Sequence, residues 1–322
     1  MRRRHRLNIL LWVAMCLPAL AMSQGNIIKI GTGSTGGAYY PVGGAVCRYM
    51  KEARDDGKKS ICFAQPTGGS VDNLQLLAAG TMDLGIVQSD TLIAAYNGTG
   101  AFADKANDQL RVMFSLHQEM FTIVATQKSG IKTFDDLAGK TINLGGLNSG
   151  SYLNMRRLLD ALMLDVNHFA STRELSPDAA LDALCSGEIH ATVYMVGHPN
   201  DNIRNSLSRC DGQLVSLSTE QIAALQTRYP YYVQSVVPED LYAGQTAATT
   251  FGLSAVLVTT AKADTDAIYN LTKAALENIA GLRTVHPTLS QLSAVRMASG
   301  QYEVPYHPGA LQYLEEKSLL PQ

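Results

Sequence analysis

The sequence lacks the compact signatures of covalent or metal chemistry. It has no G-x-S-x-G nucleophile elbow, no H-E-x-x-H helix, no C-x-x-C pair, and no Ser, His and Asp set in a recognisable arrangement. Nothing therefore marks a catalytic residue, a metal site or a cofactor, and an exported enzyme is a minor alternative. Basic charge is also scarce, with 26 Lys and Arg against 28 Asp and Glu. That balance speaks against a nucleic-acid partner. No apolar run reaches the ~20 residues of a permanent membrane helix. No internal repeat, low-complexity tract or long charged linker interrupts the chain, so compact units are expected.

The longest apolar run, Leu7 to Leu20, sits in MRRRHRLNILLWVAMCLPALAMSQ, behind four arginines and ahead of the small residues Ala19 and Ala21. This is the layout of a secretory signal peptide over residues 1–23, with cleavage after Ala21 or Ser23. Met15 precedes Cys16 where a lipoprotein needs a small residue, which argues against a lipid anchor. A soluble, monomeric periplasmic protein is the expectation. Without the leader the balance becomes 22 basic to 28 acidic residues, a formal charge of −6.

From Asn26 onward short apolar strands alternate with glycine loops and helices. IIKIGT leads through GSTGGAYY into PVGGAVCRYMKEA, ICFAQ leads through TGGS into VDNLQLLAAG, and DLGIV leads through QSD into TLIAAYN. The long strand RVMFSLHQEMFTIVAT then opens a second unit. In it TFDDLAGK reads as a short helix capped by Thr133, GLNSGS opens YLNMRRLLDALML, and Ser176 with Pro177 starts a further helix. A second long strand, FGLSAVLVTT, returns the chain to the first unit. The pattern predicts an α/β fold of two lobes, each a doubly wound, mostly parallel sheet. The lobes divide as 24–125, 126–250 and 251–322, with two hinge strands near Ala125 and Phe251.

Four cysteines lie beyond the leader, and an even number in an oxidising compartment suggests two disulfides. Three pairings are possible. Cys47–Cys62 and Cys185–Cys210 would keep each bridge inside one lobe and leave the hinge free. A zinc site using His190 or His198 lacks the usual ligand spacing.

Three glycine and hydroxyl loops stand at strand carboxyl ends: GTGSTG, TGGS and LNSGS. The first satisfies G-x-G-x-x-G, but the second strand ends at Gln65 and Pro66 where a ribose-binding acid would stand. The plainer use is anion binding, with backbone N–H groups and hydroxyls at helix amino ends replacing water. Ser89 or Asp90 serves as a helix cap or a ligand contact, Tyr39 or Tyr40 walls the cleft, and His198 is a turn residue or a contact. If the loops do not hold the ligand, Arg156 or Arg173 must.

GTGSTGGAYYPVGG, TGGSVDNLQLLAAGTMDLGIVQSD, IKTFDDLAGK with GLNSGS, and VPYHPGALQYLEE occur in this order from about Ile27 to the carboxyl terminus. Together they resemble the TAXI family, the solute-binding subunits of TRAP-type secondary transporters. The resemblance implies a type II periplasmic-binding-protein fold. It also implies capture of a small acid, such as glutamate, glutamine or a 2-oxoglutarate-like dicarboxylate, and delivery to a membrane permease. The motifs put the ligand contacts at Gly33, Ser34, Tyr39, Tyr40, Thr67, Gly69, Ser70, Gln88, Ser149, Gly150 and Ser151. GLNSGS departs from the family's G-x-x-x-S-G-T, keeping the hydroxyl at Ser151 without the methyl. A role feeding a membrane sensor is the alternative from another class.

Overall fold

The computed structural model describes residues 27–52, 61–147, 149–300 and 302–320, so the expected leader lies outside the described residues. In the first lobe, strands Ile27–Gly31 (β1), Ile61–Gln65 (β2) and Leu84–Gln88 (β3) feed helices Tyr39–Glu52 (α1), Ser70–Ala78 (α2) and Ser89–Asn97 (α3). The 17-residue strand Leu110–Thr126 (β4) carries the chain into the second lobe. There Thr141–Asn143 (β5), Ser171–Arg173 (β6) and Ala191–Val196 (β7) lead into Gly150–Ala161 (α4), Pro177–Ser186 (α5) and Asp201–Arg209 (α6). Gly212–Val215 (β8), Thr219–Arg228 (α7) and Val233–Val237 (β9) complete it. Ala248–Thr260 (β10) returns, followed by Thr265–Glu277 (α8), Ile279–Arg283 (α9), Ala294–Ala298 (α10) and Pro308–Glu316 (α11).

The strands form one mixed sheet in the order β2-β1-β3-β10-β4-β7-β5-β6, with β8 on β4 and β9 on β10. The flanks are parallel, β1 with β2 and β3, and β5 with β6 and β7. The centre is antiparallel because the two long strands run against each other and through both lobes. The mostly parallel sheets expected of separate lobes are thus joined by these two strands. Both faces are covered, as the near-continuous apolar runs require. In the first lobe Ile86 and Leu257 face one core while their neighbours Val87 and Val256 face the other. The second lobe repeats this with Ile123 and Val193 on one side, Val124 and Tyr194 on the other.

Between the lobes the β4/β10 ladder slips. Ser254 pairs with Gln118 but Val256 pairs with Ser115, so Leu116 and His117 oppose the single residue Ala255. Such a bulge bends the strand and re-aims its side chains. Disulfides join Cys47 to Cys62 and Cys185 to Cys210, with Cα separations of 5.2 and 4.4 Å, each bridge within one lobe.

TFDDLAGK is not an α-helix. Asp136 accepts from the backbone N–H groups of Lys132 and Thr133 and from the Thr133 hydroxyl, which confines the segment to a 3₁₀ turn at Asp135–Leu137. The sequence pattern also passed over β6, β9, α6 and α7, the strands being three and five residues long.

Candidate functional site

Parallel strands present their carboxyl ends on one edge, so the loops after β1, β2, β3, β5, β6 and β7 converge where the lobes meet. They enclose a cavity of about 370 Å³. Ten of the eleven expected contacts line it: all but Tyr40, which projects outward and is 36% exposed. Tyr39 is the tyrosine that walls the cleft. Sequence reasoning missed Glu119, Asn143, Ser176 and Asn200, which also line it.

The amino ends of six helices, α1 to α6, border this space. Each brings unpaired N–H groups and a partial positive charge. At α2 the cap position is Gly69, held at φ 113°, ψ −150°, and no side chain caps the first turn. At that φ any other residue would be strained. The ends of α4, α5 and α6 are tied more closely. Ser149 accepts from Tyr152 N at 3.3 Å, Ser176 from Ala179 N at 3.5 Å and Asn200 from Ile203 N at 3.2 Å.

The hydroxyls are not equivalent. Ser70 Oγ accepts from Gln88 N at 3.0 Å and Ser151 Oγ from Met195 N at 2.9 Å, which leaves each hydroxyl proton free to donate into the cavity. Thr67 Oγ1 accepts from Gly69 N and commits its single proton to Asn73 Oδ1 (2.7 Å) or Thr32 O (3.0 Å). Thr67 therefore shapes the loop and has no donor left for a ligand. Asn73 completes the strut by donating to Thr32 O and Ile86 O. In GTGSTG, a Cβ at Gly33 would meet only Tyr39, at 3.9 Å, and one at Gly36 would meet nothing. Gly36 therefore does not mark the close helix–strand packing that the third glycine of a dinucleotide fingerprint allows.

Gln88 bridges the lobes. Its Oε1 accepts from Asn154 Nδ2 at 3.2 Å, and its Nε2 donates to Glu119 Oε2 at 2.5 Å and to Met195 O at 3.3 Å. Helix α4 packs so closely here that a Cβ on Gly150 would lie 1.9 Å from Gln88 Oε1 and would displace the Gln88 amide.

Asp90 corrects the reading of QSD as caps or ligands. The cap of α3 is Gln88, and Asp90 lies inside the helix, fully buried and off the cavity lining. Its carboxylate accepts from Arg157 and Asn154 on α4, from the Tyr232 hydroxyl at 3.1 Å, and from Thr91 N at 2.6 Å. Burial alone would lower the proton affinity of Arg157, but the Asp90 charge together with the neighbouring Tyr232 and Tyr231 outweighs this and raises it. Burial, reinforced by Asp90, pushes the Tyr232 phenol well up.

His117 comes from the bulge in β4 and Glu119 lies two residues beyond it, both buried, with Glu119 facing the cavity. His117 Nε2 stands 3.4 Å from Glu119 Oε1. Burial raises the Tyr39 phenol well above its ordinary range, and the Glu119 charge adds to this. Among the described residues the cavity lining contains no Lys, Arg or His. Arg173 instead pairs with Glu188 at the surface, and Arg156 is exposed. His198 also lies off the lining, held between the hydroxyls of Thr122 (2.9 Å) and Tyr242 (2.8 Å). Burial brings its pKa down to about 4.

Residues 30–318 match the NMT1-like family. Among solved structures, the fold is similar to the periplasmic sulfonate-binding protein SsuA from Methylobacillus flagellatus KT. The identity is 15%, covering 92% of this chain and 88% of that one, with a TM-score of 0.50. It is also similar to XAC2383 from Xanthomonas citri bound to ATP, at 12% identity, covering 91% and 96%, with a TM-score of 0.52. At this identity the likeness establishes the fold, that of two-lobed periplasmic solute-binding proteins.

Proposed function

This chain belongs to the NMT1-like family, and we propose that it is the TAXI-type solute-binding subunit of a TRAP secondary transporter. In this reading it captures a small acid in the periplasm, glutamate, glutamine or a 2-oxoglutarate-like dicarboxylate, hands it to a membrane permease, and performs no reaction on it. The observation that carries the proposal is the cavity between the lobes, bordered by six helix amino ends. A carboxylate entering it must shed water at a cost that would forbid binding unless other donors replace that water. The first-turn N–H groups of α1, α2 and α4 and the hydroxyl protons of Ser70 and Ser151 supply such donors from both lobes. Ligand binding then draws the lobes together. The pivot in this reading is the register slip of β4 and β10, at Leu116–His117 opposite Ala255, rather than near Ala125 and Phe251, because Phe121, Ile123, Phe251 and Leu253 already pack in the core of the second lobe.

Thermal-shift and calorimetric screening against amino acids and dicarboxylic acids tests the proposal. At a hundred times its Kd a true ligand adds about 2.7 kcal/mol of stability. A panel in which no acid raises the melting temperature overturns the reading.

A further inference from the structure

The helix amino ends account for a carboxylate, but they leave one feature of the cavity unused. Among the described residues Glu119 is the only acidic side chain on the lining, and no basic side chain accompanies it there. Its side chain is 4% exposed. The other buried acid nearby, Asp90, is matched by Arg157. Glu119 has no Arg or Lys partner among the described residues: Gln88 Nε2 is a neutral donor, and His117 Nε2, 3.4 Å from Glu119 Oε1, makes no hydrogen bond. The Tyr39 hydroxyl, buried on the same side of the cavity, is unpartnered as well. A carboxylate accepts about four hydrogen bonds, and a buried one is costly until a cation and further donors reach it.

On these grounds we propose that Glu119 is the subsite for an ammonium group on the solute, so that the cleft takes an amino acid in preference to its oxo or deaminated counterpart. The proposal rests on the solute-binding reading and narrows it. Opposite chemistries face each other across one small space. Helix ends and hydroxyl protons suit the carboxylate of a zwitterion, while Glu119 and the Tyr39 oxygen offer acceptors for the donors of its ammonium. A dicarboxylate of the same size would instead place another negative charge beside an unmatched buried one. The position of Glu119 fits this role: it lies two residues past the bulge on the strand that links the lobes, and its carboxylate accepts from Gln88 Nε2 at the cavity. Closure then completes the coordination of Glu119 only when the solute supplies the missing cation.

Calorimetry with the full-length mature protein tests this, using the common amino acids together with 2-oxoglutarate, succinate and glutarate as probes. The unsubstituted protein should bind one amino acid at least a hundredfold tighter than its deaminated analogue, glutarate being the analogue of glutamate. That ratio corresponds to one opposite-charge contact in a desolvated site. In Glu119→Gln the amino acid should weaken by about a hundredfold while the deaminated analogue binds as before or tighter, so that the preference disappears. A merely structural Glu119 would weaken both alike, and that outcome overturns the assignment. So does tight binding of 2-oxoglutarate or glutarate by the unsubstituted protein, a measurement that does not depend on the variant folding. Binding of no probe overturns the solute-binding reading and this assignment with it, whereas preference for an oxo acid overturns this assignment alone.

Discussion

Arg157→Met removes the cation that matches Asp90 across the lobe boundary. Asp90 is fully buried and the Arg157 side chain is 14% exposed, so the pair is largely out of water. Removing one partner of a buried pair costs about 3–5 kcal/mol, because the other charge is stranded. Asp90 keeps Thr91 N, Tyr232 and Asn154 as neutral donors, which places the cost at the lower end. About 3 kcal/mol corresponds to a loss of roughly a hundredfold or somewhat more in an equilibrium constant. Asp90 belongs to α3 in one lobe and Arg157 to α4 in the other. The cost therefore falls on the closed arrangement of the lobes, where the pair is buried, and not on either core. Solute affinity measured by calorimetry should drop by that factor, while the melting temperature of the unliganded protein moves by only about 2 °C. Removing both charges in Asp90→Asn/Arg157→Met should restore affinity to within about tenfold, a coupling on the order of 2 kcal/mol in the double-mutant cycle. If the two substitutions add within about 0.5 kcal/mol, or if Arg157→Met melts far earlier with its affinity intact, the pair holds the fold and the closure argument fails.

Ser70→Ala should weaken binding of the solute about ten- to a hundredfold with little salt dependence, since a buried donor and no mobile surface charge is lost. It should also lower stability by about 1–2 kcal/mol, because Gln88 N loses its acceptor; unchanged affinity would remove Ser70 from the site. Reducing the disulfides should destabilise each lobe by about 3 kcal/mol through loops of 15 and 25 residues, read as a lower denaturant midpoint, and an unchanged midpoint would deny them a structural role. His198 has a folded pKa of about 4, below its ordinary 6.5, so the unfolded chain takes up its proton first as pH falls. Its contribution is complete above about pH 6.5 and fades toward pH 4, on the order of 3 kcal/mol in all. His198→Gln should flatten that part of the stability profile, and a variant with the parent's pH dependence would contradict this.

The glycine loops were legible because they obey local rules. A short apolar strand, a turn that needs glycine and a helix start are neighbours in sequence, and parallel strands bring all such loops to one edge whatever else the chain does. Ser176 was legible as a helix cap for the same reason, though not as a cavity residue, because nothing local says that the α5 loop reaches the same edge as TGGS. The charges were hidden differently. Asp90 and Arg157 stand 67 residues apart, and only the packing of α4 against α3 makes them a pair. Glu119 left a trace that could have been read. His117 and Glu119 are two polar residues at alternate positions in a 17-residue strand whose neighbours are mostly buried and apolar. In a strand covered on both faces, side chains at i and i+2 share a face, and a polar pair there must meet either a partner or a cavity. The bulge at Leu116–His117 was beyond reach, since it depends on the register with β10. Without it, the same two residues would read as an interruption in a hydrophobic strand rather than as a charge aimed into the cleft.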